Sequence, residues 1–285
     1  MEQFASGWKQ TYYGKGDVIA YRLNRDGVTA AGANPVFGVS TKILVYGSAF
    51  WPTYTAGDNT TLIATDSMKN FIQRETMNFT GPDLESYCHF LGTKFIGLYS
   101  QVDGVQVSAV EIPYAAIPGQ PAAFCPAGPE RLTARVEIGR DGVVETVSGI
   151  EGFRMVRLGG SAFAGFVRDE YTTLPDIRNR PLHMWLDLNW KYDSTESAFS
   201  EGRVAAQVRE IIYQTFGAFE SGSIQQIIYQ IGTKLLADIG CLSEIHLEAN
   251  NRTWDTIQEE GDRLGIYTDA RPPYGCLGLR LRREN

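Results

Sequence analysis

The sequence has few of the residues on which most metal and redox chemistry depends. Its three histidines, His89, His183 and His246, form no His-x-x-x-His pair, and its four cysteines, Cys88, Cys125, Cys241 and Cys276, stand far apart with no Cys-x-x-Cys pair. A zinc or iron site needs several such ligands at close spacing, so no dedicated metal centre is expected and the thiols read as buried or idle. Long apolar runs are missing too. The longest, "ILVYGSAFW" (43–51), is far too short to span a bilayer, and the opening "MEQFASGWKQTYYGKG" has no basic stretch leading into an apolar core. A cytoplasmic protein is therefore expected, in which Asn59-Thr60-Thr61, Asn78-Phe79-Thr80 and Asn251-Arg252-Thr253 match the glycosylation pattern by chance. No block of Lys and Arg occurs and the net charge is -7, which argues against nucleic acid or an anionic membrane as a partner. A small anion remains possible wherever a few cations gather locally. Neither a Gly-x-Ser-x-Gly elbow nor a nucleotide fingerprint is present, since Gly14-Lys15-Gly16 lacks a third glycine and sits in a strand pattern.

What is present is ordinary core-forming material. With 285 residues, 43% hydrophobic and 21% charged, the chain can build a sizeable core in one or two domains. Residues 11–23 and 35–47 read as strands, followed by helical spacing over 66–78, with Met68, Phe71, Ile72 and Met77 on one side. After the breaker "TGPD" a second helix is expected from Leu84 to about Tyr99. Strands over 104–115 and 131–138 follow, with a Pro- and Gly-rich connector (115–130) between them. Asp141-Gly142 then gives a hairpin signal.

From there the order repeats. Strands are expected within 143–158 and 161–168 and at 182–192, then two helices and two strands. "FLGTKFIG" (90–97) and "QIGTKLLA" (230–237) share Gly-Thr-Lys, each closing the second helix of its pair, and the breaks "TGPDLES" and "ESGSIQQ" correspond. The pattern implies a tandem α+β duplication, 1–142 and 143–285, each half an antiparallel four-stranded sheet with two helices on one face. Such sheets leave open edges, which a closed multi-subunit barrel would pair.

Two segments could carry chemistry. "TLIATDSMKNFIQRE" (61–75) brings an apolar run to Thr65-Asp66-Ser67 before a helix, where Ser67 or Asp66 would cap and Thr65 would stand at a strand-to-helix junction facing an anion. "GFVRDEYTTLPDIRNRP" (165–181) is a charge-dense stretch that reads as a surface loop ending at Arg180. Composition alone leaves Arg180 either a ligand clamp or a solvated arginine.

"YYGKGDVIAYR", "GDNTTLIATDSMKNF", "FAGFVRDEYTTLP", "SIQQIIYQIG" and "YTDARPPYG" together resemble urate oxidase (uricase) of the bacterial type, over nearly the whole chain and in the family's order. The resemblance implies a tandem of tunnelling-fold (T-fold) domains closing into a barrel as a homotetramer, with active sites at subunit interfaces. It implies cofactor-free oxidation of urate by O2 and water to 5-hydroxyisourate and hydrogen peroxide, in purine catabolism. Lys15 and Thr65 match the base couple, in which the lysine helps take a proton through the threonine hydroxyl. Asp66 would hold the ring edge through its backbone, and Phe163 would stack on the purine. Arg180 would clamp the carbonyl and nitrogen edge, with Ile224 beside it and Gln225 completing the clamp. Asn251 would hold oxygen or water above the ring.

That chemistry suits the substrate. A planar, acidic purine fits one aromatic face, one arginine fork and one amide, and its electron-rich anion can itself give electrons to O2, so no flavin, haem or metal is called for. One position departs from the family pattern: Thr253 stands where many members have the histidine of a Lys-Thr-His relay. A hydroxyl passes a proton but is no base near neutral pH, so Thr253 reads either as a water-orienting residue or as a plain strand threonine. Two alternatives are a tunnelling-fold cyclohydrolase or aldolase, which would want Cys/His ligands or a glutamate anchor, and a purine-binding relative without catalysis. The chain's ending, Arg283-Glu284-Asn285 rather than Ser-Lys-Leu, again points to the cytoplasm.

Overall fold

The computed structural model describes residues 11–25, 35–200, 204–261 and 263–284, so the opening ten residues, read above for a targeting signal, lie outside it. Two compact units form: Met1–Ser148 with Ser194–Gly202, and Gly149–Asp193 with Arg203–Asn285.

In the first unit, β1 (Tyr12–Leu23) and β2 (Val36–Tyr46) pair antiparallel. A 3-10 turn (Ser48–Phe50) and the short helix α1 (Trp51–Ala56) lead to α2 (Thr65–Asn78) and α3 (Leu84–Leu98). Next come β3 (Gly104–Glu111), a small hairpin of β4 (Tyr114–Ala116) with β5 (Phe124–Pro126), and β6 (Arg131–Gly139). The connector expected over 115–130 thus carries a hairpin. Strand order is β1-β2-β3-β6-β7, the last being β7 (Gly142–Phe163), which starts in this unit and ends in the second. The short helix α4 (Thr195–Ser200) also belongs here.

The helices form because their apolar residues recur at helical spacing and find one sheet face. Met68 and Ile72 of α2 and Leu91 and Phe95 of α3 are fully buried in one cluster with Val39, Ile43, Val107 and Val136, each such burial contributing about 1.5–3 kcal/mol. Gly92 makes the close approach possible: a Cβ there would meet Ile138 Cδ1 at 2.7 Å. Met77, expected on the buried side of α2, is instead 76% exposed, and Thr76 is buried in its place. The Thr76 hydroxyl bonds to the Ile72 carbonyl and to the Tyr87 hydroxyl (2.7 Å each), and Tyr87 reaches Thr41 (3.1 Å). A polar residue enters the core there because its hydroxyl is satisfied.

The second unit repeats the plan with β7, β8 (Ile177–Tyr192), α5 (Val204–Phe216), α6 (Ile224–Asp238) and β9 (Leu242–Asn251). The exposed hairpin β10 (Asp255–Glu260) with β11 (Leu264–Thr268) precedes β12 (Gly275–Arg282). Strand order is β7-β8-β9-β12. The strand expected over 161–168 does not exist: β7 runs unbroken to Phe163 and a loop follows. Gly160 takes a left-handed φ of 70° inside the strand, which glycine tolerates, so the strand continues through it.

The two Gly-Thr-Lys glycines do the same work. A Cβ on Gly232 would meet Leu281 Cδ1 at 2.8 Å and Leu247 Cδ1 at 3.0 Å, so α6 lies as close on its sheet as α3 does on its own. Each helix also starts on a side-chain cap, Asp83 accepting from Ser86 N (2.8 Å) and Ser223 from Gln226 N (3.1 Å). Each ends under an arginine: Arg140 donates to Ile96 O and Tyr99 O, and Arg283 to Leu236 O and Ile239 O.

Candidate active site

In the first unit, Lys15 lies on β1 opposite Ile43, immediately before a break in register that runs to Val18. Asp17 inside that break has φ 52°, unusual for a non-glycine residue, so the strand bulges directly beside Lys15. The start of α2 is brought to the same strand by Ile63 N, which donates to Tyr13 Oη (2.8 Å). Burial pushes the Tyr13 phenol up, the Ile63 bond opposing. Thr61 donates to Ala49 O (2.6 Å), and Gln101 Nε2 to Thr61 O (3.2 Å), fixing the approach segment without any strand. Thr65 therefore opens a helix out of an anchored loop, where a strand-to-helix junction was expected.

The expected side-chain cap is also absent. Ala64 is the N-cap residue, and neither Asp66 nor Ser67 closes the first turn. The Asp66 carboxylate is taken by Lys69 Nζ (2.5 Å) and Asn70 Nδ2 (2.9 Å) farther along the helix. The Lys69 hydrogen bond and charge hold that carboxyl below its usual range, with a smaller contribution from the charge of Lys15. Thr65, Asp66 and Ser67 are exposed, so the first-turn amides of α2 present N–H groups without a side-chain acceptor, beside a lysine.

In the second unit, Phe163 ends β7 and stacks on Phe166, ring centroids 5.0 Å apart and planes at 14°. The loop that follows is pinned by Arg168 to Asp176 (3.0 Å) and by Gly165 N to Asp176 Oδ1 (3.2 Å). Arg180, expected at the loop's end, lies within β8. It is partly buried, burial pulls its guanidinium below the usual range, and its Nε is out of water with no partner. A buried charged donor left open is costly unless a ligand completes it.

Strand geometry shows what shares the face of Arg180. Alternation puts Arg180, Leu182 and Met184 on one side, and Met184 pairs with Asn251 of β9. Leu247, of the same parity as Asn251, lies under Gly232 of α6, so this is the face that α6 covers. Arg180, Asn251 and the first turn of α6, with Ile224 buried and Gln225 exposed, thus occupy one side of the sheet. A cavity of about 490 Å³ in this unit is lined by Gly160, Ala162, Arg178, Asn179 and residues 220–222. Asn179 Oδ1 accepts from Gly160 N (2.8 Å), and Ala162 N and Gly160 O bond Ser221 O and N at 2.7 and 2.9 Å. Arg157 donates to Gly159 O, Gly160 O, Phe216 O and Phe219 O, fastening the α5–α6 loop to β7. Asn251 Oδ1 accepts from Thr253.

Tyr13, Arg157, Phe166 and Asn179 were missed by sequence reasoning. Only Phe166 left a signal, its Phe-Ala-Gly-Phe spacing from Phe163. Among the described residues, no group of three His, Cys, Asp or Glu is placed to hold a metal ion, and no helix is long and apolar enough to cross a membrane.

Sheets of mostly antiparallel strands with helices on one face define an α+β fold, shared with solved uricases. The urate oxidase of Bacillus sp. TB-90 superposes with a TM-score of 0.86 at 36% identity, covering 96% of this chain and 100% of that one. A family model described as Uricase matches residues 146–276. The uricase of Haloferax volcanii is 36% identical over 94% of this chain and 96% of its own length. The uric acid degradation bifunctional protein of Bacillus sp. TB-90 is 39% identical over 96% of this chain, which spans 60% of that longer protein. The chain belongs to the uricase family.

Proposed function

We propose that the protein is a cytoplasmic urate oxidase that converts urate, O2 and water to 5-hydroxyisourate and hydrogen peroxide without a cofactor. The observation that carries this reading is the buried, unpartnered Nε of Arg180 on the sheet face that also holds Asn251 and the start of α6. A planar anion with adjacent carbonyl and ring nitrogen would accept from that fork, while Gln225 offers its amide along the same edge and Ile224 packs beside it. Phe163 would stack on the ring, and an exposed first-turn amide at Thr65-Asp66 would hold the opposite edge.

Lys15 and Thr65 form the base couple. The threonine hydroxyl takes a proton from urate as it gives its own toward the lysine, and the urate dianion, now electron-rich, passes two electrons to O2 held by Asn251. Water adds to the oxidised ring at C5, and the reduced oxygen leaves as peroxide, so one urate, one O2 and one water yield one 5-hydroxyisourate and one H2O2. The working unit in this reading is a homotetramer of tandem tunnelling-fold domains, closed as a barrel, with sites completed between subunits.

The test is the loss of urate's ultraviolet absorbance by purified, chelator-treated protein in air, with oxygen uptake followed in parallel. Equimolar consumption with peroxide released is expected. Tight urate binding without turnover would overturn the enzyme reading in favour of a binding protein.

A further inference from the structure

Asn251 closes β9, and the chain turns away through Arg252 and Thr253. Backbone, cation–π and side-chain contacts together fix this corner. Arg252 N donates to His183 O (3.1 Å), extending the β8–β9 ladder one residue past the Asn251–Met184 pair. The Arg252 guanidinium carbon lies 4.4 Å from the Trp185 ring centroid and 3.8 Å from that of Tyr274, a cation–π seat on two rings. Thr253 N then donates to Asn251 Oδ1 (3.2 Å), and the Thr253 hydroxyl bonds to the same oxygen.

The backbone contact shows which way the asparagine amide is turned, and the hydroxyl bond to the same oxygen helps hold it there. A main-chain N–H has only a hydrogen to offer, so the side-chain atom facing it must be the carbonyl oxygen and not the NH2 group. The Nδ2 hydrogens of Asn251 are thereby directed out of the turn. Since Oδ1 is an acceptor only, the Thr253 hydroxyl spends its own hydrogen on Asn251 and cannot offer it to a substrate at the same time.

We propose that Thr253 is a positioning residue. It sets the Asn251 amide so that its NH2 group faces the oxygen or water of the reaction, while Arg252, held between Trp185 and Tyr274, keeps the corner rigid. The hydroxyl replaces the family's relaying histidine in place but not in role. The inference rests on the urate oxidase reading and assigns this chain's own division of labour within it.

The test compares wild-type protein, Thr253→Val and Thr253→Ser in urate turnover at varied O2, with affinity for a non-oxidisable purine analogue and the pH–rate profile measured alongside. Thr253→Val keeps shape and the backbone N–H but loses the hydroxyl. It should raise the KM for O2 by roughly fivefold to tenfold, leave analogue affinity and the pH midpoints unchanged, and be rescued by Thr253→Ser. Unaltered O2 dependence in Thr253→Val, or a displaced pH midpoint showing that the hydroxyl relays protons, would overturn the proposal alone. A wild-type protein that consumes no urate would overturn the urate oxidase reading, and the oxygen-positioning role with it.

Discussion

Arg180 is the residue whose surroundings ask most for a ligand, because its buried Nε has no acceptor. Lysine at this position would keep the charge but lose the fork. Arg180→Lys is therefore expected to raise the KM for urate about 10-fold to 100-fold with the fold intact, read from steady-state kinetics together with circular dichroism. In the proposed mechanism Lys15 and Thr65 act in series on one proton, so Lys15→Ala and Thr65→Ala should each slow turnover on the order of a hundredfold or more. The double variant should be little worse than either single one, and multiplicative losses would show that the two do not act as a unit. These residues could be singled out in the sequence because side-chain chemistry is written within recognisable blocks. Tyr13 and Arg157 were not legible, since their partners are backbone atoms 50 and about 60 residues away. Backbone atoms look alike in every sequence.

At the level of elements, the two helix pairs and their sheets could be read from periodicity, because Met68 and Ile72, or Ile227 and Ile231, recur at the spacing that faces a sheet. The exchange of Met77 for Thr76 could not, because it depends on hydroxyls of Tyr87 and Thr41 that only the fold brings near. Glycines separate the tight elements from the open ones. A Cβ on Gly14 would run into the carbonyl of Ile43 on β2, so Gly14→Ala must push β1 outward and carry Lys15 with it. Both a loss of activity and a destabilisation of about 1–3 kcal/mol are expected, measured by urea unfolding. Gly97 in α3 has open space around it, and Gly97→Ala should stabilise by about 0.5–1 kcal/mol in the same assay.

For the whole molecule, alkaline pH is the revealing variable. Burial, with the nearby Glu137 charge, pushes the Tyr46 phenol up to about 12, and burial likewise raises Tyr13 and Tyr87 above the ordinary 10.0. Above pH 10 the unfolded chain gives up these protons first, so it binds fewer than the native state and stability falls as pH rises, through about pH 12 for Tyr46. The urea midpoint should hold up to about pH 9 and then decline, with a shallower decline in Tyr46→Phe. Assembly is a second property at this scale. β1 ends its sheet with Ile19, Tyr21 and Leu23 exposed, and the β10–β11 hairpin exposes Ile257, Leu264 and Ile266. Sedimentation should give four times the mass of one chain, and Ile257→Lys with Ile266→Lys should shift it toward smaller species.

The arginines that close helices have an effect beyond holding loops. An α-helix carries a partial positive charge at its first turn and a partial negative charge at its last. Arg140, Arg157 and Arg283 set a guanidinium on the negative poles of α3, α5 and α6, while no side chain accepts from the first-turn N–H groups of α2, where the Asp66 carboxylate is taken up by Lys69 and Asn70. Three negative dipole ends, spread over both units, are thus met by a guanidinium, while the first-turn N–H groups of α2 face solvent. A chain of net charge -7 can in this way offer an electropositive landing place to an anion without a basic surface that would also attract nucleic acid.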